Sequence, residues 1–173
     1  MAVLPILKYP DPRLKEKSQA VVHFDQELAD LAADMGQTML DAPGAGLAAP
    51  QIGCLKRLIV IAGAENDENF DERVMVLVNP RITWSGGEQV YEEGCLSVTE
   101  LTEKVIRAAE VEVEAQDLEG RPIHLKADGR RAVILQHEID HLDGVLFIDH
   151  LSQLKRDIYK RRLKKLMKEN ADD

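Results

Sequence analysis

The chain has 173 residues, 45% of them hydrophobic, and a net charge of −9. This length suffices for one well-packed domain and is too short for two of ordinary size, so we expect residues 1–173 to form a single domain. With no secretory leader, no apolar run long enough to span a membrane and only two cysteines, the composition predicts a cytoplasmic protein without a disulfide framework.

The first predicted element is a helix over residues 25–40. Its apolar residues recur at helical spacing, so one face should pack on the body of the protein. The segment 44–53 that follows is rich in glycine and is predicted to be a loop. It is a poor dinucleotide-binding motif, because its glycines follow a helix and precede a strand. The apolar residues of the helix are Leu28, Leu31, Met35 and Met39.

Short segments rich in β-branched residues predict strands after this loop. They are residues 58–61, 74–78, 90–91, 105–106 and 111–115. Turns are predicted at Gly86-Gly87 and at 118–120. A cluster of carboxylates between the first two strands predicts a solvated acidic loop. These residues are Glu65, Asp67, Glu68, Asp71 and Glu72.

The most informative pattern is the H-E-x-x-H run at residues 137–141. On a helix, it places His137 and His141 one turn apart with a carboxylate between them, which is typical of a divalent metal site with its own general base. Residues 132–135, which precede Gln136, are apolar, so the helix should be buried, with Val133 and Ile134 on the face of the histidines. Two merely structural histidines are the alternative.

The third metal ligand is less clear from the pattern. An extended zinc-peptidase motif would have histidine at the position of Phe147, and a thermolysin-like site would need a downstream glutamate, for which only Glu169 near the charged tail remains. Cys95 could instead complete a Cys-His-His set that leaves a fourth position open for water. A buried, inert Cys95 is an equal alternative, since free cysteine often behaves as a small hydrophobe.

The last predicted element is a basic C-terminal helix over about residues 151–169. Between Lys155 and Lys168 it carries eight basic residues and one acidic residue, a local net charge of +7. Its apolar side should dock on the domain, and its basic side could contact ribosomal RNA. A solvated helix face is the alternative. The apolar residues are Leu151, Leu154, Ile158, Leu163, Leu166 and Met167.

Three blocks of the chain together resemble the peptide deformylases. The family motifs G-x-G-L-A-A-x-Q, E-G-C-x-S and Q-H-E-x-D-H match at residues 44–51, 93–97 and 136–141, at every specified position. Similarity at 9–14, 77–80 and 144–149 extends over nearly the whole chain. We therefore expect an α+β fold, in which short antiparallel β-sheets wrap around a central metal-bearing H-E-x-x-H helix, with an N-terminal and a C-terminal helix.

The resemblance implies an enzyme that removes the N-formyl group from the formylmethionine of newly synthesised polypeptides and releases formate. It implies one metal ion per chain on Cys95, His137 and His141. That ion would be iron(II) in the cell, although zinc, nickel or cobalt also suits these donors. Nascent formylated peptides are then the expected partners, with a possible ribosome contact and with neither a membrane nor DNA involved.

Roles for the catalytic residues follow from this chemistry. Glu138 can take a proton from water as general base and deliver it to the departing amine as general acid. The resemblance assigns stabilisation of charge on the carbonyl oxygen to the Gln51 side-chain amide and the Leu96 backbone N–H. Without the family match, Gln51 would be interpreted as an amide that stabilises its loop.

Candidate substrate-binding residues lie around this centre. Val133 and Ile134 are predicted to form an apolar slot for methionine, with Leu96 and the backbone of Gly46 at its rim. A purely structural role has about equal weight for the aliphatic residues, since a core needs them too. Glu93 is grouped with these residues and could position the loop that carries Cys95.

The chain departs from the family pattern near the expected peptide site. Thr99 and Thr102 stand where many deformylases have a proline and an arginine, and Arg107 is not an obvious substitute. The loss of that cation predicts a higher KM rather than lost chemistry. Ala45 stands where the family often has a larger aliphatic residue, so the methionine slot is expected to be slightly wider.

Two rival functions fit part of the pattern. An H-E-x-x-H peptidase would cleave internal peptide bonds and would not need Cys95. A non-enzymatic, metal-dependent module on the ribosome would not need Glu138. The combination of Gln51 with these two residues argues against both. The remaining histidines have no motif around them and are expected to be surface or structural residues. They are His23, His124 and His150.

Overall fold

The computed structural model describes residues 1–63 and 74–172. The predicted acidic loop therefore lies outside the described residues. Within them, the strands are β1 Gly46–Ala48, β2 Leu58–Ala62, β3 Val74–Gly86, β4 Gln89–Cys95, β5 Val98–Arg107, β6 Glu110–Gln116 and β7 Pro122–Asp128. The helices are α1 Gln26–Asp41, α2 Gly129–Leu142 and α3 Gln153–Ala171, with short 3-10 turns at Pro12–Lys15, Ala49–Ile52 and Phe147–His150.

Five antiparallel strands form one sheet in the order β1-β2-β3-β6-β7, and β4 pairs with β5 in a separate hairpin. The sequence of strand β2 is apolar throughout because both faces of the strand are buried. Leu58 and Val60 pack in the cluster that includes α1, whereas Ile59 and Ile61 pack in the cluster that includes α2. Because successive side chains of a strand point to opposite faces, both faces of the sheet are covered by a helix.

Helix α1 confirms the first predicted element. The Asp25 side chain caps it by accepting from the Leu28 backbone N–H, which satisfies one of the free donors of the first turn. Met35 and Met39 are fully buried against the sheet, as helical spacing predicted. The predicted core role of both methionines is confirmed.

Helix α2 is buried on two sides, as expected from its run of apolar residues. Leu135, Ile139 and Leu142 pack on the sheet. The opposite side carries His137 and Glu138 towards the β4–β5 hairpin, where the His137 ring bonds to a side chain of β4. The α2 helix therefore joins the core of the protein to the candidate metal site.

Helix α3 exists as predicted, but part of its predicted docking face is wrong. Leu154, Ile158 and Met167 are 68%, 53% and 53% exposed. The helix docks instead through Tyr159 and Leu163, which are one turn apart and buried. Ile158 precedes Tyr159 by one residue and so points about 100° away from that face.

The predicted strands all occur, and the α+β class with antiparallel sheets is confirmed. Strands β1 and β7 were not predicted. Strand β1 lies in the segment interpreted as a loop and pairs Gly46 with Ile61 of β2. Strand β7 lies at the edge of the sheet, and its inward residues are only half-buried, which gives a weak alternating pattern. Among the described residues, no helix has the length and apolarity that crossing a membrane requires.

Candidate active site

Three potential metal ligands converge from two elements. Cys95 ends strand β4, while His137 and His141 lie one turn apart on α2. The ligand atoms of these three residues lie within 4.8 Å of one another. The Cys95 Sγ and His141 Nε2 atoms are 3.4 Å apart. This is a thiolate-imidazole set of the kind that binds a transition metal and leaves a fourth position open.

The two positions at which a zinc peptidase would have its third ligand do not contribute one here. The Phe147 ring stacks on the His137 ring, with centroids 6.1 Å apart. Glu169 is exposed on the C-terminal helix α3. Neither of the two peptidase completions considered from the sequence is therefore formed by these residues, and Cys95 is the third potential ligand beside the two histidines.

Glu93 of β4 holds the His137 ring in place. His137 Nδ1 donates to Glu93 Oε1 at 2.9 Å, which leaves Nε2 of the ring for a metal. Burial of Glu93 opposes its charge, but hydrogen bonds from Arg107 and His137 lower its pKa to about 2. Glu93 therefore remains a carboxylate and orients the His137 ring, a contact that the sequence did not suggest.

The sequence analysis also missed the role of Arg107. Its guanidinium is buried and donates to both oxygens of Glu93, at 2.7 and 2.9 Å, and to Asp140 at 2.6 Å. His150 Nε2 lies 3.0 Å from the same Asp140 oxygen. The sequence held an indication of this buried role. Arg107 shares the inward side of β5 with Val105, and a charge that is buried there needs partners. The N–H donors of Arg107 are used inside the protein. Arg107 therefore does not replace the peptide-binding cation that the sequence lacks at Thr102.

His137 and His141 differ in their electrostatics. Although burial disfavours a charged ring, hydrogen bonds to Cys95 and Glu93 raise the pKa of His137 well above its ordinary value. Burial, with the nearby charge of His137, lowers the pKa of His141 well below its ordinary value. Because metal ligands must be deprotonated, a metal held by His137 would have to displace a proton from its ring.

Glu138 lies beside these potential ligands and is buried. Burial first, and then the negative charge of Glu93, raise its pKa to about 7. A Cβ added at Gly46 would lie 2.6 Å from Glu138 Oε1, so only glycine allows β1 to pass this carboxylate. Among the described residues, Glu138 Oε2 has no hydrogen-bond partner. A carboxyl group with a pKa near neutrality can both accept and return a proton.

Gln51 is buried and fixed at both ends of its amide. Its Oε1 accepts from the Ala48 backbone N–H at 2.9 Å, and its Nε2 donates to Ser97 Oγ at 3.0 Å. The same Nε2 lies 3.6 Å from Cys95 Sγ. Leu96 lies in the turn between β4 and β5, with its carbonyl held by the Lys8 ammonium. Both predicted oxyanion donors therefore lie next to the cysteine.

A cavity of about 600 Å³ opens next to Glu138 and His137. Its wall includes the residues predicted to bind substrate, namely Gly46, Glu93, Val133 and Ile134. Ala45 and Thr102 also line it, and Thr102 Oγ1 donates to Glu92 at 3.0 Å. Arg130 was missed: it is a cation on the cavity wall, and helical spacing from Ile134 and His137 could have found it.

Comparison with known proteins agrees with this geometry. The family model for polypeptide deformylase matches residues 3–157. A peptide deformylase of Desulfotalea psychrophila is 50% identical over 165 residues, which cover 95% of this chain and 97% of the relative. The crystal structure of a peptide deformylase from Legionella pneumophila superposes with a TM-score of 0.88 at 46% identity and covers 99% of both chains. A peptide deformylase from Ehrlichia chaffeensis, in complex with actinonin, has a TM-score of 0.87 at 38% identity and covers 95% of this chain and 98% of its own.

Proposed function

Because this chain belongs to the peptide deformylase family, we propose that Cys95, His137 and His141 hold its catalytic metal and that Glu138 is its general base. The protein is a metal-dependent hydrolase that removes the N-formyl group from newly synthesised polypeptides. The observation that carries the proposal is the convergence of three donor atoms within 4.8 Å beside a buried carboxyl group. We also propose that the enzyme acts in the cytoplasm, where formylated chains are made.

The donor set fits a transition metal and is the basis for proposing iron(II). One thiolate and two imidazoles suit iron, zinc, nickel and cobalt alike, and the family resemblance favours iron(II) among them. When bound, the metal lowers the pKa of a coordinated water and polarises the formyl carbonyl. Oxygen should inactivate the iron form, because a thiolate such as Cys95 is open to oxidation.

The chain's own residues then move the proton and stabilise charge. Glu138, in its carboxylate form, takes a proton from the attacking water and returns it to the amine nitrogen that leaves. The Gln51 Nε2–H and the Leu96 backbone N–H donate to the carbonyl oxygen as negative charge develops on it. Burial of Glu138 and Gln51 strengthens both effects, because few waters compete at this depth.

Val133 and Ile134 are proposed to hold the methionine side chain, supported by their position on the cavity wall one turn before His137.

Thr102 lines the same cavity without supplying a cation. The Thr102→Arg variant should therefore lower KM for a formylated tripeptide and leave kcat unchanged. An unchanged KM would mean that a cation at this place does not hold the peptide.

The central test is formate release from formyl-Met-Ala-Ser by anaerobically purified protein. Glu138→Gln should keep its metal and lose a factor of about 10² to 10⁴ in kcat/KM, as expected for a removed general base. Cys95→Ser should lose metal and activity together. Cys54→Ser, which alters the other free thiol, is the matched control and should behave as wild type. Metal-loaded wild type that releases no formate, or that cleaves internal peptide bonds, would contradict the assigned roles.

The finer proposal on partners concerns the basic face of α3, defined here as Lys160, Arg161, Lys164 and Lys165. All four side chains are exposed, on a helix that docks through Tyr159 and Leu163. Such a surface attracts RNA phosphates in a salt-dependent manner. Substituting the four with Glu should abolish co-sedimentation with ribosomes at low salt and leave deformylation of free peptide unchanged. Co-sedimentation that persists would remove this part of the proposal.

A further inference from the structure

One wall of the substrate cavity is a short strand segment, residues 98–102, called the rim segment below. Val98, Glu100, Leu101 and Thr102 of this segment all line the cavity. The segment begins β5 directly after the turn that follows Cys95, and Val98 pairs with Cys95 across the hairpin. Its backbone therefore sets the shape of the cavity on this side.

The rim segment contains a strained residue at its centre. Glu100 has a φ of 57°, in the left-handed region that residues with a side chain rarely adopt. Residues 99–101 lie in an irregularity of the hairpin, between the pairs Val98–Cys95 and Thr102–Gly94, so no ladder partner fixes this conformation and other contacts must hold it. Strain at a residue that faces the cavity indicates that the native shape of the rim is imposed from outside the segment.

Helix α3 supplies the contacts that hold it. The Tyr159 hydroxyl donates to the Thr99 carbonyl oxygen at 3.0 Å, and the Arg162 guanidinium donates to the Glu100 carbonyl oxygen. The two helix residues therefore hold the carbonyls on both sides of the Glu100 α-carbon. The Tyr159 ring also packs in one apolar cluster with Val98 and Leu101.

We propose that Tyr159 and Arg162 are positioning residues for substrate binding, which hold the rim segment in its strained shape. The inference rests on the proposed function of this cavity as the peptide site. Without the two donors, Glu100 relaxes towards ordinary strand geometry and the cavity wall shifts. Peptide binding then weakens, whereas Glu138 and the three metal ligands stay in place. The expected signature is a higher KM at unchanged kcat.

The first experiment compares kinetics of formate release by the full-length, metal-loaded chain. Tyr159→Phe/Arg162→Gln keeps the packed ring and removes both donors. Each lost hydrogen bond to the rim segment should weaken peptide binding by about fivefold. KM should therefore rise about five- to twentyfold, with kcat within about twofold of wild type. Arg161→Gln removes the same charge from the neighbouring exposed position and should leave KM unchanged.

The second experiment tests whether strain at Glu100 is the link. Glycine adopts a φ of 57° without the penalty of a side chain. The double substitution should therefore no longer raise KM when made in a Glu100→Gly background. It should still raise KM in a Glu100→Ala background, which removes the same carboxylate but keeps the strain. Each effect is measured as a ratio within its own background, so loss of the Glu100 side chain itself cancels.

Three results would overturn the inference. KM of the double variant could equal that of wild type, or the two Glu100 backgrounds could show the same effect. A fall in kcat together with loss of metal would mean instead that α3 acts on Cys95, which packs in the same cluster. Wild type that releases no formate is a different outcome, because it removes the proposed function and the inference with it.

Discussion

Two buried carboxyl groups, Glu93 and Glu138, lie in one site with opposite pKa shifts. Hydrogen bonds from Arg107 and His137 overcome the burial of Glu93 and lower its pKa to about 2. Glu138 has no such donors among the described residues, so burial dominates and raises its pKa to about 7. A pair of groups separated in this way indicates a fixed structural charge beside a group that exchanges protons.

The pKa of Glu138 predicts a pH-dependent stability of the metal-free protein. Its folded-state pKa of about 7 lies above the ordinary value of 4.5, so the folded state retains a proton that the unfolded chain releases. Stability from this group is complete below pH 4.5 and is lost as pH rises through about 7. Glu138→Gln, which cannot ionise, should be more stable than wild type at about pH 8 by roughly 3 kcal/mol.

Urea unfolding of both metal-free proteins across this pH range measures the effect. The difference in the free energy of unfolding between variant and wild type should grow from acidic to basic pH. A difference that is constant over the range would mean that Glu138 titrates alike in the folded and unfolded chains. The metal must be removed completely, because a bound cation would favour the carboxylate form of Glu138.

The contact between Glu93 and His137 predicts a loss of metal affinity in Glu93→Gln. A neutral amide cannot stabilise the ring or neutralise the buried guanidinium of Arg107 as a carboxylate does. Affinity should fall about 10- to 100-fold, as is usual when a partner of a histidine ligand is removed. Competition with a chelator measures it. Glu92→Gln, at the exposed neighbouring position, is the matched control, and equal affinities in the two variants would refute the role of Glu93.

Strand β1 and helix α2 approach each other closely at Gly46, and this predicts the effect of an added methyl group. In Gly46→Ala the Cβ would lie 2.6 to 2.8 Å from three atoms of the Glu138 side chain, which is enclosed and cannot move away freely. Displacement of the base should reduce kcat by at least about tenfold, while the metal stays bound.

Steady-state kinetics and metal analysis of Gly46→Ala together test this contact between β1 and α2. Gly94→Ala provides a comparison, because its Cβ would meet the Thr102 methyl group at 3.3 Å and the Leu101 carbonyl oxygen at 3.6 Å, neither of them closer than 3.0 Å. The change in kcat should be much smaller there. Metal loss in Gly46→Ala would show that the added methyl disturbs the ligands on α2 and not only Glu138.

The proposed metal site joins parts of the molecule that pack in different clusters. Cys95 belongs to the β4–β5 hairpin, whereas His137 and His141 belong to the helix that packs on the large sheet. A ligand that binds only the folded state stabilises it, by about 2.7 kcal/mol at a concentration 100 times its Kd. Chelation should therefore lower Tm of wild type and of Cys54→Ser.

Calorimetry with and without chelator tests this coupling in the whole chain. Cys95→Ser should have the same Tm under both conditions, because it has lost one of the three donors. The metal-loaded protein should unfold in one transition if residues 1–173 form a single domain, which stays a prediction. Two separate transitions would show instead that the hairpin and the large sheet unfold independently.

Much of the fold could be predicted because its signals are local. Helix α1 follows from the 3.6-residue period of Leu28, Met35 and Met39, and β2 follows from an unbroken β-branched run. The docking face of α3 could not be predicted in the same way. Leu154 and Ile158 are as apolar as Leu163, and only the position of the neighbouring apolar cluster, to which β5 contributes, selects Tyr159 and Leu163 for burial.

The sequence by itself determined that the proposed ligands His137 and His141 share one face of α2 with the proposed base Glu138 beside them, because their spacing is set by one helical turn. Only the tertiary structure decided the contacts that cross between elements. The hydrogen bond of Glu93 to His137 spans 44 positions and that of Tyr159 to Thr99 spans 60. Such pairs have no fixed spacing along a chain, since packing of the sheet, hairpin and helices brings them together.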